Sequence, residues 1–200
     1  MIVIGICGGS GSGKSFICQR FSILHIPTLN TDKLYHDMIS ADSECSRALI
    51  ASFGKIIANE QNGINREILR QIVFAPEADK KRLLLNSIAH RYIRIETLKW
   101  IEKQRMSGYK AVTIDAPLLF ESKFDEICDY VIAVIAPTDI RLRRICARDK
   151  ISLVEATNRI SVQISNDELI HRSDFYIDND DKNDIDKQIE LILSKLKIEQ

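Results

Sequence analysis

Five short runs of apolar residues alternate with helical patterns along the chain. The runs are rich in β-branched residues, as buried strands are, and span positions 2–6, 27–29, 111–114, 131–135 and 175–177. Apolar positions recur at helical spacing over 14–24, 42–54, 66–74, 77–106, 138–149, 152–164 and 184–198. Strands that alternate with helices predict an α/β fold, in which a five-stranded parallel sheet is covered by helices on both faces.

One long stretch departs from this alternation. Between positions 32 and 100 no segment has the pattern of a strand, while helical patterns are frequent. We therefore expect one 200-residue domain that carries a helical insertion between its second and third strands.

The composition is that of a globular protein and argues against several partners. Hydrophobic residues make up 45% of the chain, and 28 basic residues balance 28 acidic ones. Proteins that bind nucleic acid or a membrane surface usually have a basic excess, so we expect neither partner. No apolar run approaches the roughly 20 residues of a membrane span, and the glycine-containing N-terminus does not resemble a signal peptide.

The cysteines are scattered, at positions 7, 18, 45, 128 and 146, and form no C-x-x-C pair. This spacing predicts neither a disulfide framework nor a zinc site, and it suits a reducing compartment. The sequence therefore predicts a cytoplasmic protein.

Glycines concentrate at one place in the chain. Five of the eight fall within positions 5–13: one lies in the first predicted strand, and four lie between that strand and the first predicted helix. The segment that follows the strand satisfies the phosphate-loop pattern G-x-x-x-x-G-K-[ST]; its residues are Gly8, Gly9, Ser10, Gly11, Ser12, Gly13, Lys14 and Ser15. Glycines let consecutive backbone N–H groups converge on phosphate oxygens, and the helix adds its positive dipole end.

Individual roles follow from the chemistry of this loop. Lys14 can reach the β and γ phosphates as a point charge, and the Ser15 hydroxyl can ligate Mg²⁺. Phe16, the next residue, contributes only its backbone N–H. The alternative is a glycine-rich turn that binds nothing, but its position between strand and helix favours a nucleotide site.

The rest of the chain narrows the class of nucleotide-binding protein. A GTPase switch needs D-x-x-G and N-K-x-D, whereas Asp115 is followed by Ala-Pro-Leu and no N-K-x-D occurs. A 200-residue chain with a helical insertion favours a kinase that acts on a small molecule.

Asp32 is a candidate general base. It lies just beyond the second predicted strand, and parallel sheets bind ligands beyond the carboxyl ends of their strands. A carboxylate there can accept the proton of a substrate hydroxyl during phosphoryl transfer. The alternative is that Asp32 only caps a helix that begins at Lys33.

Three arginines share one face of a predicted helix, because Arg141, Arg144 and Arg148 are spaced i, i+3, i+7. Such a face can cover a triphosphate and stabilise charge in the transition state, or it can simply be solvated.

Asp115 ends a hydrophobic strand, where an acid can orient Mg²⁺ through water; the alternative is that Asp115 is a turn residue. The isolated histidines do not predict a metal site.

With these residues in view, the chain resembles the dephospho-CoA kinase family over nearly its whole length. The matching segments are the loop Gly8–Ser15; Asp32 with His36; Arg66, Leu69, Val73 and Phe74; Asp115–Glu121; Arg144 with Arg148-Asp149; Arg159 with Gln163; and Ile177-Asp178-Asn179. The segment D-A-P-L-L-F-E at 115–121 is the most specific to that family.

Three positions depart from the family pattern. Asn30 stands where the family has the first acid of D-A-D, Phe16 where it has Thr, and Arg91 where it has Pro after the motif histidine. Asn30 cannot act as a base, which leaves Asp32 as the one candidate, and Phe16 keeps its backbone donor.

The resemblance implies transfer of the γ-phosphoryl group of ATP, with Mg²⁺, to the ribose 3′-hydroxyl of dephospho-CoA, giving CoA and ADP. It implies a core of 1–31, 101–137 and 167–200, a substrate-binding insertion of 32–100, and a lid of 138–166 whose closure excludes water. The implied catalytic residues are Lys14, Asp32, Arg144 and Arg148. The implied substrate-binding residues are Asp32, His36, Arg66, His90 and Leu118.

Two alternatives remain open on the sequence alone. Another phosphate-loop kinase, acting on nucleosides or nucleotides, would share the loop, the arginines and Asp32. An inactive nucleotide-binding module is the second, and the intact Lys14, Ser15 and Asp32 argue against it. The expected partners are ATP and dephospho-CoA, and the expected assembly is a monomer or a weak homo-oligomer.

Overall fold

The computed structural model describes residues 1–198, which form two compact units. The first comprises Met1–Leu29 together with the chain from Lys103 onward, and the second is Asn30–Glu102. Within the described residues, no helix is long and apolar enough to cross a membrane.

The first unit contains a five-stranded sheet. Its strands are β1 (Ile2–Cys7), β2 (Thr28–Asn30), β3 (Ala111–Asp115), β4 (Tyr130–Ile135) and β5 (Phe175–Asp178). They lie in the order β2-β3-β1-β4-β5, and β1 pairs in parallel with both β3 and β4, as β4 does with β5. The α/β fold with a five-stranded parallel sheet is confirmed.

The helices follow the predicted segments closely, with two additions. They are α1 (Lys14–Ile23), α2 (Thr31–Ser40), α3 (Glu44–Phe53), α4 (Arg66–Val73), α5 (Asp79–Met106), α6 (Thr138–Asp149), α7 (Leu153–Ser161), α8 (Asn166–His171) and α9 (Ile185–Lys195). The helical pattern did not predict α2 or α8 as segments. The six residues of α8 are too few to show a periodic apolar face. The predicted domain boundaries include positions 199 and 200, which lie outside the described residues.

Branched and aromatic side chains fill the core of the first unit. Ile4 and Ile6 of β1 are fully buried with Ile17 and Phe21 of α1, and Ile189 of α9 completes the contact from a second helix. Side chains alternate across a strand, so the apolar character of β1 at consecutive positions means that both of its faces are covered. The helices therefore hold β1, and with it the loop that follows, in a fixed position.

The register of the sheet brings the carboxyl ends of four strands to one edge. Ile6 of β1 lies opposite Asp115, the last residue of β3. Cys7 lies opposite Ala133 of β4, and Ile135 lies opposite Asp178, the last residue of β5. The loops after β1, β3, β4 and β5 consequently emerge side by side, where parallel sheets bind their ligands.

The second unit is a group of helices, α2 to α4 and most of α5, around a core of its own. The buried residues of that core are Ile39, Cys45, Leu49, Ile57, Ile64, Leu69 and Val73. Polar side chains define where the helices begin: Asn30 caps α2, Ser43 forms a capping box with Ser46 at α3, and Asn65 caps α4.

Candidate active site

The loop between β1 and α1 needs glycine at two positions for steric reasons. Gly13 is the N-cap of α1 and has a left-handed backbone, with φ 90° and ψ 20°. A Cβ atom at this position would collide with the side chain of Asn179. Gly11 has φ +78°, and a Cβ atom there would lie 2.6 Å from the carbonyl oxygen of Arg141. Other residues would therefore be strained at both positions.

Several backbone amides of this loop are left for a ligand, including those of Gly11 and Gly13. Ser12 N–H donates to the carbonyl of Gly9 at 3.1 Å, which closes a turn within the loop. The N–H groups of Gly11 and Gly13 have no acceptor in the part of the chain that the structure describes. Unpaired donors before the start of a helix form a site for an anion such as phosphate.

Lys14 forms an ion pair with Asp115. The carboxylate is buried and belongs to the last residue of β3, which register places opposite Ile6 on β1. Asp115 is thus not a turn residue, and that alternative from the sequence is wrong. The pair brings the lysine of the phosphate loop and the acid of the neighbouring strand to the same edge of the sheet.

The three arginines of α6 have different environments. Arg141 is buried, with 3% of its surface exposed, and burial lowers the pKa of its guanidinium. Its Nε donates to the carbonyl of Ser10 at 2.9 Å, so it packs against the phosphate loop instead of lying on a solvated face. Arg144 also contacts the loop, donating to the carbonyls of Gly11 and Ser12 at 3.2 Å each.

Arg148 lies further along α6 and is largely exposed. Its Nε and one terminal nitrogen donate to the two carboxylate oxygens of Asp149, at 2.7 and 3.0 Å. Arg159 of α7 forms a second ion pair with the same carboxylate. The hydrogen bonds from Arg148 and then Arg159 lower the pKa of Asp149 to about 2, so this carboxylate is charged at all working pH values.

Asp32 is an exposed residue in the first turn of α2. The helix begins at Thr31, two residues earlier than the sequence suggested, and Asn30 is its N-cap. The side-chain oxygen of Asn30 accepts from Lys33 N–H at 2.7 Å. The interpretation of Asp32 as the cap of this helix is therefore wrong. Its carboxylate makes no hydrogen bond or ion pair within residues 1–198.

The other candidate substrate residues have varied surroundings. Within the second unit, Arg66 is the exposed first residue of α4, and His36 is half-buried on α2 next to Tyr35. His90 lies half-buried on α5, where burial lowers the pKa of its imidazole. Leu118 belongs to the first unit, in the loop after β3, and about half of its surface (53%) is exposed.

Two residues that the sequence did not assign to the site contact the phosphate loop. The side-chain oxygen of Gln163 accepts from Ser10 N–H at 3.0 Å and from Arg141 at 2.9 Å. The side-chain amide of Asn179 donates to the carbonyl of Ser12 at 2.8 Å. Both positions match motifs of the family that the chain resembles, but their contacts are long-range and leave no trace in local patterns.

Three features together define a P-loop kinase fold. They are the phosphate loop after β1, the buried acid at the end of the adjacent strand, and the sheet order β2-β3-β1-β4-β5. Comparison with known proteins narrows this class. The family model for dephospho-CoA kinase (CoaE) matches residues 2–184, and the chain belongs to that family.

Individual relatives agree with this assignment. The dephospho-CoA kinase of Bacillus licheniformis is 35% identical over 178 residues, which cover 89% of this chain and 88% of the relative. A solved dephospho-CoA kinase from Campylobacter jejuni is similar with a TM-score of 0.68 at 25% identity, covering 98% of this chain and 95% of that one. TT1252 from Thermus thermophilus is similar with a TM-score of 0.76 at 26% identity, covering 98% and 97% of the two chains.

Proposed function

We propose that this protein transfers the γ-phosphoryl group of ATP to the ribose 3′-hydroxyl of dephospho-CoA, giving CoA and ADP. The observation that supports this most is the phosphate loop with the unpaired amides of Gly11 and Gly13, in a chain whose residues 2–184 match the dephospho-CoA kinase family. A kinase of nucleosides or nucleotides would use the same loop, but the family assignment does not favour it.

The loop Gly8–Ser15, with the Phe16 N–H, binds the phosphates of ATP. The amides of Gly11 and Gly13 are donors without protein acceptors in the described residues, and the N-terminus of α1 adds positive potential. Lys14 lies at the start of α1, and its ammonium neutralises charge that gathers on the oxygen between the β and γ phosphates.

Asp32 takes the proton of the acceptor hydroxyl. In the reaction the 3′-oxygen forms a bond to the γ-phosphorus, the bond from that phosphorus to the bridging oxygen breaks, and ADP leaves. The released proton passes to the Asp32 carboxylate, which is exposed and is not used as a helix cap. Asn30 keeps the helix start in place without serving as a second acid.

Arg144 and Arg148 supply positive charge to the transferring group. Arg144 already contacts the phosphate loop, and Arg148 has a guanidinium that Asp149 holds in one orientation. Both lie in the segment 138–166, which acts as a lid. Its closure excludes water, so transfer to the acceptor is not replaced by hydrolysis of ATP.

The helical insertion 32–100 binds dephospho-CoA through His36, Arg66 and His90, and Leu118 supplies an apolar contact from the loop after β3. A cation such as Arg66 suits the pyrophosphate of this substrate. The half-buried His90 is neutral at physiological pH because burial lowers its pKa, so it acts as a hydrogen-bonding group instead of a charge.

The donor set of the site fits Mg²⁺. The Ser15 hydroxyl is exposed and makes no hydrogen bond within residues 1–198, and the Asp115 carboxylate lies at the end of β3. Mg²⁺ is usually held by one or two protein oxygens, water and substrate phosphates, so Ser15 directly and Asp115 through water would hold it. When bound, the ion neutralises phosphate charge and orients the γ-phosphoryl group.

The described cysteines are all free thiols, in keeping with a cytoplasmic location. Burial raises the pKa of Cys7 and Cys18 to about 11, so these thiols stay protonated and are unreactive. We infer that the protein works as a monomer or a weak homo-oligomer.

A coupled assay of ADP release tests the proposed function. Dephospho-CoA is compared with AMP, CMP and uridine as acceptors, with Lys14→Ala as the inactive control. We expect kcat/KM for dephospho-CoA to exceed that for each of the others by about 100-fold or more, since a site built for one acceptor leaves polar groups unpaired with another. Equal or higher kcat/KM for a nucleoside or nucleotide would overturn the proposal.

A further inference from the structure

Three side chains from outside the phosphate loop donate hydrogen bonds to its carbonyl oxygens. Arg141 Nε donates to Ser10 O at 2.9 Å, and Arg144 donates to Gly11 O and Ser12 O at 3.2 Å each. Asn179 Nδ2 donates to Ser12 O at 2.8 Å. Three consecutive carbonyls of the loop are therefore fixed by side chains instead of by a helix or a sheet.

Asn179 differs from the two arginines in its position: they lie on helix α6, whereas Asn179 lies at the end of a sheet strand. It follows β5 directly, and its backbone N–H continues the pairing with β4 by donating to Ile135 O at 2.9 Å. The residue is buried, with 8% of its surface exposed. Its side-chain oxygen accepts from Arg144 at 3.3 Å, so both ends of the amide are used and its orientation is set.

The geometry of the peptide bond links these outer contacts to the inner face of the loop. In a trans peptide the C=O and the following N–H point in opposite directions. A bond from Asn179 to Ser12 O therefore turns the Gly13 N–H away from Asn179, and the bond from Arg141 to Ser10 O does the same for the Gly11 N–H. Both amides are without an acceptor in the described chain.

Such a restraint is needed because both amides belong to glycines. Gly11 and Gly13 have positive φ, and glycine crosses between backbone conformations more easily than any other residue. An amide that turns freely loses entropy when it binds a phosphate, whereas one that is already aimed does not.

We propose that Asn179 is a positioning residue for ATP: its side-chain amide holds the Ser12 carbonyl so that the Gly13 N–H faces the phosphates before the nucleotide binds. The inference rests on the proposed function in one respect, namely that the anion at this loop is the phosphate tail of ATP. It assigns to the turn after β5 a role in the affinity for ATP and none in the affinity for dephospho-CoA.

The test is Asn179→Asp, which keeps the shape of the side chain and the acceptor for Arg144 but replaces the donor to Ser12 O by an oxygen. Asn183→Asp is the matched control, because it makes the same change in the same turn at an exposed side chain. For both variants we would measure KM for each substrate, kcat, and the Kd of a non-hydrolysable ATP analogue by calorimetry. Melting temperatures would be measured in parallel.

Asn179→Asp is expected to raise KM and Kd for the nucleotide by roughly tenfold or more, the effect of losing one buried hydrogen bond and opposing two oxygens. KM for dephospho-CoA should stay within about twofold of the Asn183→Asp value, since no acceptor contact changes. Asn179→Ala adds no charge, and it should raise the nucleotide Kd by roughly threefold or more.

Nucleotide affinities of Asn179→Asp and Asn183→Asp that agree within about twofold would overturn the inference, as would equal losses for both substrates. If Asn179→Asp does not fold, Asn179→Ala decides alone, and an unchanged nucleotide Kd counts against the inference. Failure of the proposed function is distinct: the wild-type protein would then bind the ATP analogue, and respond to Asn179→Ala, without phosphorylating dephospho-CoA.

Discussion

Some candidate site residues of the first unit have partners within the protein that their counterparts in the second unit lack. In the first unit, Lys14 is paired with a buried acid and Arg144 makes several hydrogen bonds to the backbone of the phosphate loop. In the second unit, Asp32 and Arg66 are exposed, and Asp32 has no partner in the described chain. Protein contacts thus hold the residues of the proposed nucleotide site in place, while Asp32 and Arg66, which we propose to contact the acceptor, are exposed.

This difference sets what a substitution does. A residue that holds the phosphate loop contributes to folding stability as well as to function, since its removal leaves buried polar groups without partners. An exposed residue whose only partner is the substrate contributes to function and not to folding stability. Measurements of activity and melting temperature on the same variant can therefore separate the two kinds of site.

The largest effect on rate is expected from the second unit, at Asp32. Asp32→Asn should lower kcat by roughly 10²–10⁴-fold, because an amide cannot accept the hydroxyl proton. The melting temperature should not change, since Asp32 is exposed and Asn30 is the helix cap. Rates would be measured over a Mg²⁺ titration so that weakened metal binding is not mistaken for loss of the base.

Asp37→Asn is the matched control for this variant, since Asp37 is an exposed acid of the same helix whose partner is Lys33. It should keep full activity. If Asp32→Asn retains more than about a tenth of the wild-type kcat at saturating metal, Asp32 is not the general base.

Lys14→Ala combines a loss of rate with a loss of stability. We expect kcat to fall by roughly 100-fold, because the charge on the bridging oxygen is no longer neutralised. The variant should also lose roughly 3 kcal/mol of unfolding free energy, since the buried Asp115 loses a cation. Denaturant unfolding and steady-state kinetics on the same preparation measure the two effects.

A double variant separates the loss of stability from the loss of rate. Adding Asp115→Asn to Lys14→Ala should restore much of the stability, because no buried charge then remains at the pair. It should not restore the rate. Stability that is unaffected by Lys14→Ala would show that the ion pair does not hold this part of the first unit together.

Arg144 and Arg148 should differ although they are on one helix. The sequence alone suggests that alanine at either position lowers kcat/KM and leaves the melting temperature unchanged. The structure alters this expectation for Arg144, whose removal costs roughly 1–3 kcal/mol in lost hydrogen bonds to the phosphate loop. For a chain of this size each kcal/mol lowers the melting temperature by about 2–4 °C.

Arg148→Ala should leave the melting temperature within about 1 °C of wild type, because exposed ion pairs contribute little to stability. Arg143→Ala, which breaks an exposed contact with Asp181, serves as the neutral control for both. Melting temperatures that fall equally for Arg144→Ala and Arg148→Ala would remove the distinction between loop-holding and solvent-facing arginines.

The smallest expected effect is a change in melting temperature at acid pH. The pKa of Asp149 is lowered to about 2 by Arg148 and Arg159, so its ion pairs stabilise the fold above the ordinary carboxyl pKa near 4 and are lost as the pH falls towards 2. Asp149→Asn should therefore melt slightly lower than wild type at pH 6, and the difference should shrink between pH 4 and pH 2. A difference that does not depend on pH would contradict this assignment.

The sequence could predict the features that depend on neighbouring residues, but not the contacts between distant ones. The phosphate loop, the strands and most helices follow from local patterns, since glycine spacing and apolar periodicity are properties of neighbouring residues. The contacts of Asn179 and Gln163 with Ser12 and Ser10 join positions more than 150 apart in the chain, so only the fold reveals them. The burial of Arg141 was missed for the same reason, because helical spacing alone shows it on a charged face.

The most direct test of the central claim is to determine where the phosphoryl group goes. The protein would be incubated with ATP, Mg²⁺ and dephospho-CoA, and the product examined by ³¹P NMR with coupling to the ribose protons. We expect a new phosphomonoester coupled to the 3′ proton, formed in equal amount with ADP and absent with Asp32→Asn on the same timescale. ADP accompanied only by inorganic phosphate, or a phosphate on another oxygen, would contradict the account.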